Sequence, residues 1–223
     1  MKCTLKLSHR QSNIKIIGIG CGGNNVVNSL YANGINDVSL LACDCDASVL
    51  ERSKAEVKLQ FGTDGLGTGG NPNVGRKTAE DKTADIRVLL GDRTDVAFVV
   101  SCLGGGCGTG AAPVVAREAR LMGITTICVA TLPLEFEGTQ RFGQSLEGVR
   151  EMAKNADGIY LLNNQYIFRQ HPDSPINEAF AQADEMMYNF IRNTIESITK
   201  QKKAKREKIG LRGFLRKTFW HTT

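Results

Sequence analysis

The chain has 223 residues, of which 41% are hydrophobic and 23% are charged, so it can bury one sizeable core and is not globally disordered. Its net charge of +5 is unevenly placed, because residues 200–223 hold nine Lys and Arg against one Glu and leave residues 1–199 mildly acidic. An affinity for polyanions is therefore expected only from this basic tail.

The seven cysteines are an odd number and include no C-x-x-C pair, which argues against a disulfide framework. The opening residues, MKCTLKLSHR, lack the apolar run of a secretory signal, and no stretch of about 18 apolar residues predicts a membrane span. Cys43 and Cys45 lack two further ligands at suitable spacing, so no metal site is predicted. These features together indicate a reducing, cytoplasmic location.

Six short segments rich in apolar and β-branched residues predict strands at 14–20, 38–44, 56–61, 95–103, 124–132 and 158–164. Helical patterns lie between and after them, at 25–32, 73–90, 111–123, 139–154 and 176–200. Pro113 is expected in the first turn of the third helix, where a missing N–H is tolerated. This alternation predicts a doubly wound α/β fold with a mostly parallel, six-stranded sheet.

Three glycine clusters follow predicted strands: GIGCGG at 18–23, GTDGLGTGG at 62–70 and GGGCGTG at 104–110. Ligands of such folds bind at the carboxyl ends of the strands, and glycine-rich turns before helices present backbone N–H groups to phosphates. None of the clusters carries the lysine of a P-loop. The first cluster fits the G-x-G-x-x-G of a dinucleotide site, with Asp44 as its following acid. NAD binding therefore stays open, as do tight turns without any ligand.

Four segments taken together resemble the FtsZ/tubulin family of GTPases: GGGCGTG followed by AAPVVA, GTGGNPNVGRKTAED at 67–81, PLEFEGTQR at 133–141 and EAFAQAD at 178–184. The resemblance runs in order from about Asn13 to Thr199. It implies a nucleotide-binding domain over 13–200 that takes GTP or GDP, with Mg²⁺ held through the phosphates.

The same resemblance implies a role for individual residues. It places the phosphates against Gly20, Cys21, Gly22, Asn25, Gly69, Gly70, Asn71, Gly104, Gly105, Gly106, Cys107, Gly108, Thr109 and Gly110, with Asp44 and Asp46 in the adjoining loop. It places Glu137 and Arg141 on the ribose, Asn163 and Asp184 on the guanine edge, and Phe180 on the ring. A carboxylate suits guanine, whose N1–H and N2–H groups donate to it. The residues alone leave Phe180 open as a core residue and Asp184 as a solvated helix position.

Three residues depart from the family pattern. Asn24 stands at a family glycine, although Asn tolerates a left-handed backbone. Asp44 stands at a family asparagine and brings negative charge towards the phosphates, which weakens binding or favours a cation. Cys107 stands at a family threonine, where it either fills space or, with a pKa lowered by the helix N-terminus, is sensitive to oxidation.

In the family, the central helix leads into an acidic loop that completes the neighbouring subunit's site, and then into a second domain. Here KQKKAKREKIGLRGFLRKTFWHTT follows the helix. We expect a truncated division or cytoskeletal module that associates with FtsZ-type filaments. It would hydrolyse GTP weakly unless a partner acts in trans. A nucleotide sensor outside division, a gene fragment and an NAD-dependent oxidoreductase are the alternatives.

Residues 1–12 are predicted to be an N-terminal extension and 201–223 a basic amphipathic tail. Apolar residues recur in the tail at near-helical spacing, with Arg and Lys between them, which suits an anionic membrane surface. A tail in solvent or docked on the domain is equally open, and nucleic-acid binding is the least favoured of the three.

Overall fold

The computed structural model describes residues 13–91, 93–170 and 175–204. The predicted N-terminal extension and most of the predicted tail lie outside these residues. The strands are β1 Ile14–Ile19, β2 Ser39–Asp44, β3 Val57–Gln60, β4 Val96–Cys102, β5 Thr125–Leu132 and β6 Gly158–Asn163. They form one sheet in the order β3-β2-β1-β4-β5-β6, and every pair is parallel. The predicted doubly wound α/β class is confirmed.

The helices are α1 Gly20–Ala32, α2 Ala47–Arg52, α3 Pro72–Glu80, α4 Thr83–Leu90, α5 Gly106–Leu121, α6 Thr139–Asn155, α7 Asn164–Gln170 and α8 Ile176–Ala204. A single 3-10 turn at Glu135–Glu137 precedes α6. The short helices α2 and α7 are too brief to show a periodic pattern, and the sequence did not predict them.

The prediction of one helix over 73–90 is wrong, because the chain turns at Lys82 and forms α3 and α4. The two pieces bury different surfaces. In α3 the small residues Gly75 and Ala79 face inwards, whereas α4 buries the large side chains of Ile86 and Leu90. A straight helix could not bring both stripes against the core, so tertiary packing overrides the local pattern.

Helices α1 and α5 both begin inside the glycine clusters, earlier than predicted. The sequence placed the start of α5 at 111, but it starts at Gly106, so Pro113 lies in its interior rather than in its first turn. Pro113 removes one hydrogen bond from α5. The buried small residues around it, including Ala111 and Ala112, pack the helix tightly on the sheet and offset that loss.

The core has two layers, one on each face of the sheet. Successive β1 residues point to opposite layers: Ile17 packs with residues of α5 such as Val115, and Ile16 packs with residues of α1 and α8 such as Val26 and Ile191. These side chains are fully buried, and each contributes about 2–3 kcal/mol of hydrophobic free energy. Helices therefore cover both faces of the sheet. The carboxyl ends of the strands are then the place where a ligand can bind.

The outer face of α8 is polar. Glu196 pairs with Arg192 at 3.5 Å and with Lys200 at 3.6 Å, both at the spacing of one helical turn. The inner face buries Met187, Ile191 and Ile198. Within the described residues, no helix combines the length and the apolar character needed to cross a bilayer.

Candidate functional site

The N-termini of α1 and α5 meet above the centre of the sheet, where β1 and β4 lie side by side. Gly20 has a φ of +75°, and a Cβ there would lie 2.8 Å from the backbone N of Gly108. A Cβ on Gly108 would lie 2.6 Å from Oγ of Ser101 in β4. Only glycine permits both helices to start this close to each other and to the strands. This is the point where the strand order reverses, at which doubly wound folds bind ligands.

Not every glycine of the clusters serves helix packing. A Cβ on Gly110 would collide with the carbonyl oxygen of Pro72, so this glycine allows α3 to pack closely against α5. A Cβ on Gly105 would meet nothing within 4 Å, and the same holds for Gly69 and Gly70 in the neighbouring loop. These three glycines face open space in front of α5, and a ligand has room there.

The first turn of α5 has free hydrogen-bond donors. Gly105 is its N-cap and has no side chain to accept from them, and the first turn contains no acidic residue. The hydroxyl of Thr109 accepts from the backbone N of Gly104 at 2.8 Å, which holds the loop shape. Helix α1 begins in the same uncapped way after Ile19. Two uncapped N-termini with their positive dipole ends at one sheet edge suit an anion such as a phosphate chain.

A cleft of about 330 Å³ opens beside this point, between the ends of β4 to β6 and the start of α8. Its lining brings together side chains or backbone from segments far apart in the sequence, including Gly22, Asn25, Glu137, Phe180 and Asp184. These five residues were all proposed from the sequence as parts of one site. The structure places them around one cavity.

Among the described residues, two carboxylates line this cleft, those of Asp184 and Glu137. Burial raises the pKa of the Asp184 carboxyl to about 6. No side chain or backbone group of the described residues forms a hydrogen bond or ion pair with it. Phe180 lies one turn earlier on α8 and is 40% exposed, so it is not a core residue. An exposed ring and a desolvated acceptor thus stand on one helix face.

The structure distinguishes the two asparagines at the end of β6. Oδ1 of Asn163 accepts from the backbone N of Gln165 at 3.0 Å and caps α7. Asn164, which the sequence interpretation passed over, lines the cleft, and its Oδ1 is buried without a hydrogen-bond partner in the described chain. The strong preference of Asn for the N-cap could have separated their roles, had α7 been anticipated.

Glu137 and Arg141 form an ion pair at the rim of the cleft. Nη1 of Arg141 lies 2.5 Å from Oε2 of Glu137, four residues earlier. The other oxygen of Glu137 accepts from the backbone N of Leu134 at 2.8 Å and thereby closes the 3-10 turn. The carboxylate therefore has a fixed position, whereas the guanidinium remains half exposed.

Asp44 is the last residue of β2, at the carboxyl edge of the sheet and next to β1, after which α1 begins. Its Oδ1 accepts from the backbone N of Cys45 at 2.7 Å and of Asp46 at 3.1 Å, and its Oδ2 is buried and unpaired in the described chain. Burial raises the pKa of this carboxyl, and hydrogen bonds from the two backbone N–H groups and from the Cys107 thiol only partly counteract it. Asp46 is turned away, because its own carboxylate caps α2 through Ser48.

Two further asparagines of the loops hold backbone in place. Nδ2 of the buried Asn24 donates to the carbonyl oxygens of Gly20 at 3.0 Å and Cys43 at 3.2 Å, and so joins the start of α1 to β2. Asn71 caps α3 through the backbone N of Asn73 at 2.9 Å. Asn24 thus holds the start of α1 against β2, and Asn71 holds the start of α3.

The described residues contain four buried polar side-chain atoms without a hydrogen-bond partner: Asn24 Oδ1, Asp44 Oδ2, Ser101 Oγ and Asn164 Oδ1. All four belong to residues at the carboxyl edge of the sheet or in the helices that start there. Unpaired buried polar atoms are costly, and their concentration at one edge indicates a site whose ligand or water supplies the missing partners. No group of three His, Cys, Asp or Glu in the described chain could hold a metal ion by itself.

The cysteines of the site differ in exposure. Cys21 is exposed in the first turn of α1. Cys107 is buried, and its pKa is raised well above the usual range by a hydrogen bond with Cys45 and by burial. The possibility that the helix N-terminus lowers the pKa of Cys107 is therefore not realised.

The fold and the site have a known counterpart. The model of the Tubulin/FtsZ family, GTPase domain, matches residues 13–171. The chain belongs to the Tubulin/FtsZ family. The match includes the three glycine clusters and ends after α7, so it contains every predicted site residue except Phe180 and Asp184 on α8.

Relatives within the family match a larger share of the chain than the family model does. The chain is 43% identical over 192 residues to the cell division protein FtsZ of Porphyromonas gingivalis, and this alignment covers 84% of this chain and 42% of that protein. It is 37% identical over 196 residues to cell division protein FtsZ 1 of Methanocaldococcus jannaschii, at 86% and 54% coverage. The chain thus spans about half the length of the curated relatives it matches.

Solved structures of the family agree with the fold. An FtsZ dimer from M. jannaschii superposes with a TM-score of 0.81 at 36% identity, over 87% of this chain and 57% of the other. CetZ2 from Haloferax volcanii superposes with a TM-score of 0.72 at 24% identity, over 82% of this chain and 58% of the other, which supports the fold alone.

Proposed function

We propose that this member of the Tubulin/FtsZ family binds GTP and GDP in the cleft between the sheet edge and α8. The observation that carries the proposal is the unpaired carboxylate of Asp184 beside the exposed ring of Phe180. Guanine offers two adjacent N–H donors, N1–H and N2–H, to such a carboxylate, and adenine offers no such pair. The ring of Phe180 provides a stacking surface for the base.

The phosphates have a separate place in this proposal. They occupy the open space next to Gly105, Gly69 and Gly70, and accept from the first-turn N–H groups of α5 and α1. The Glu137–Arg141 pair at the rim is suited to the ribose. A Mg²⁺ ion entering with the phosphates would find Oδ2 of Asp44 as a ligand, which would neutralise the charge that Asp44 brings.

A competition experiment tests the nucleotide class. A fluorescent guanine nucleotide is bound to the purified protein and displaced with GTP, GDP, ATP and NAD in turn. Displacement by GTP and GDP at concentrations about 100-fold below ATP and NAD is expected, since a site built on unpaired polar groups discriminates strongly. The variant Asp184→Asn should lose this preference, whereas Glu185→Gln, on the exposed side of α8, should keep it. Equal displacement by NAD would overturn the proposal in favour of a dinucleotide site.

We further propose that the chain associates with FtsZ-type subunits through its nucleotide face. Four exposed apolar side chains surround this face: Leu66, Val74, Phe136 and Phe142. They belong to segments that follow the carboxyl ends of β3 and β5. Exposed apolar groups around a ligand site are typical of a surface that is covered in an assembly. Such an arrangement fits a cytoplasmic division or cytoskeletal module.

Slow GTP hydrolysis by the chain alone is part of the same proposal. Of the carboxylates at the site, Asp46 caps α2 and Glu137 is paired with Arg141. In this proposal Asp184 holds the guanine and Asp44 the Mg²⁺ ion, so none of the four is left to orient an attacking water. Co-sedimentation with filaments of an FtsZ relative, with and without GTP, tests the association. Phosphate release measured in the same tubes tests whether a partner raises the rate. Nucleotide binding without co-sedimentation would favour a nucleotide sensor outside division.

A further inference from the structure

The two edges of the sheet differ in how they are protected. Strand β3, at one edge, is four residues long and exposes Lys58, and both features hinder pairing with another strand. Strand β6, at the other edge, has six residues, GIYLLN, without a charge or a proline. Among the described residues, no strand pairs with its outer side. Its first four residues are half-buried, whereas the neighbouring β5 is buried throughout, so β6 is a candidate for pairing with a further strand.

The hydrogen bonds of β5 show which residues of β6 turn their backbone outwards. Thr125 donates its N–H to the residue that precedes β4, so odd-numbered residues of β5 bond towards β4 and even-numbered ones towards β6. Cys128 is the register partner of Ile159 and therefore bonds to the residues on either side of Ile159. The N–H and C=O groups of Ile159 and, two residues later, of Leu161 consequently point away from the sheet.

Apolar side chains flank this edge on both faces of the sheet. On the α8 face, the ring of Tyr160 stacks on the ring of Phe190, with centroids 4.0 Å apart and planes inclined by 9°. On the α6 face, Ile159 and Leu161 pack against the core but are only partly buried. The outward backbone of β6 is therefore bordered by apolar groups above and below.

Helix α6 carries a second apolar stripe beside this edge. Its buried residues, such as Met152, face the sheet, and Glu151 faces α3, with which it forms an ion pair at 4.0 Å. Leu146, Val149 and Ala153 lie about 100° round the helix from Met152, on the side opposite to Glu151. Their spacing of three and four residues is typical of a helix face that packs on another element. Leu146 is nevertheless 37% exposed, so the stripe points past β6 and away from the rest of the domain.

We propose that two copies of this chain form a symmetric dimer in which β6 pairs with β6 in antiparallel orientation, with the twofold axis at Tyr160. In this register Ile159 of one copy lies opposite Leu161 of the other, and each such pair exchanges both of its N–H···O bonds. The two Tyr160 residues form the central pair without hydrogen bonds, where the side chains of antiparallel strands approach most closely and aromatic pairs are favourable. The sheet continues across the axis into the second copy.

The same axis brings α6 against its own copy. Neighbouring strands lie about 4.8 Å apart and packed helices about 8–10 Å apart, so a helix over the last two strands meets its copy across a continuous sheet. Helix α6 covers that position, because Val149 packs in the same cluster as Ile159 and Leu161. The antiparallel arrangement sets Leu146 towards the small Ala153 of the second copy, which lets the two stripes interdigitate.

The charges at this edge favour a second copy over other occupants. A twofold axis places residues near it beside their own copies, where like charges would repel. Strand β6 has no charged residue, and Arg150 on α6 is paired with Glu147 at 3.3 Å. The basic segment 200–223 finds no carboxylate in β6 that would hold it there. An uncharged edge whose hydrogen bonds are complementary to themselves therefore suits a second copy of the chain.

Sedimentation equilibrium of the full chain without nucleotide measures the dimer. We expect a mass that rises with concentration to twice that of the chain. Leu146→Lys places a charge on the stripe of α6 and should raise the dissociation constant about tenfold, with little change in melting temperature because the position is partly exposed. Val88→Lys, at an 81% exposed position of α4, is the matched control and should dimerise as the wild type does. A monomer at every concentration would overturn the proposal, and so would a dimer that forms only with GTP, since β6 lies beside the nucleotide face and not on it.

Cross-linking tests the register of the paired strands. Tyr160→Cys should give a covalent dimer under mild oxidation, with peptides joined at position 160, because residues paired across antiparallel strands come close enough for a disulfide. Val57→Cys, at an exposed position of the other edge strand, keeps the same native cysteines and should form no link at position 57. A dimer that persists in Leu146→Lys and forms no link at position 160 would use another surface and refute the pairing.

Hydrogen exchange of the full chain distinguishes a second copy from another occupant of the edge. The amides of Ile159 and Leu161 should be protected at concentrations where the dimer forms and should exchange faster after dilution to the monomer. Protection of both amides in the monomer would assign the edge to another segment of the same chain and overturn the proposal.

Discussion

Asp184 lies one helical turn after Phe180, and both side chains line the same cleft from the first part of α8. The ring is exposed, while burial raises the pKa of the carboxyl to about 6. Because the described residues offer this carboxylate no hydrogen-bond donor, its charge is unsatisfied until a ligand supplies one. The pair therefore acts as one recognition element, and each half makes a separate prediction.

The carboxylate of Asp184 should make guanine nucleotide binding dependent on pH. Only the ionised form accepts two N–H groups, so affinity should be constant well above pH 6 and fall about tenfold per unit below it. Titration calorimetry with GDP across this range measures the profile. Asp184→Asn should bind about 10–100-fold more weakly and show no such step. A wild-type profile that is flat through pH 6 would contradict the role of Asp184.

The raised pKa of Asp184 should affect the stability of the nucleotide-free protein in the opposite direction to its effect on nucleotide binding. The folded pKa is raised above that of an unfolded aspartate, so the folded state binds more protons between about pH 4 and 6. The contribution of Asp184 to stability should therefore grow as the pH falls through about 6. Urea unfolding of the wild type and of Asp184→Asn at pH 7 and pH 5 isolates it. The free energy of unfolding of Asp184→Asn, taken relative to that of the wild type, should be lower at pH 5 than at pH 7.

The ring of Phe180 should matter for binding and not for folding. Phe180→Ala should weaken guanine nucleotide binding by about five- to tenfold through lost stacking, with little change in melting temperature, because the side chain is 40% exposed. Met186, on the same helix, is 42% exposed and is not part of the cleft lining. Met186→Ala is therefore the matched control and should bind normally. Similar losses in both variants would indicate a general effect on α8.

The glycines of GGGCGTG should separate into a binding class and a packing class. Gly105→Ala adds a methyl group into open space in front of α5, so the protein should stay folded and lose affinity for nucleotide. Gly108→Ala places a methyl group 2.6 Å from Oγ of Ser101 and should cost about 1–3 kcal/mol of stability. Gly143→Ala, also in open space but in α6, serves as the control. Thermal melts and nucleotide titrations of the three variants check the division. Unchanged affinity in Gly105→Ala would show that the phosphates lie elsewhere.

The two asparagines after β6 should have different effects on mutation. Asn163→Ala removes the N-cap of α7 and should cost about 1 kcal/mol of stability while affecting affinity less. Asn164→Ala removes a buried, unpaired oxygen from the cleft wall and should reduce guanine affinity while leaving stability unchanged or slightly improved. Denaturant unfolding and competition binding distinguish the two. The reverse pattern would restore Asn163 as the residue that faces the nucleotide.

Local patterns were sufficient for the class of fold and the position of the site. Continuous apolar runs such as DVAFVVSCL can only be buried on both faces, and their alternation with helical segments leads to a parallel sheet. Phe180 and Asp184 were correctly placed on one helix face, because the period of the helix is a local property. The lengths of α1, α5 and the 73–90 region were not accessible in this way. Where those helices start and break depends on what they pack against.

The sequence by itself thus determined the α/β architecture, the glycine clusters at one edge of the sheet and the membership of the family. Only the tertiary structure decided that Asn164 rather than Asn163 lines the cleft, and that Gly105 faces open space while Gly108 packs. The physical reason is that such contacts join segments far apart in the chain. Strand register and helix packing set those distances, and neither is encoded in the spacing of neighbouring residues.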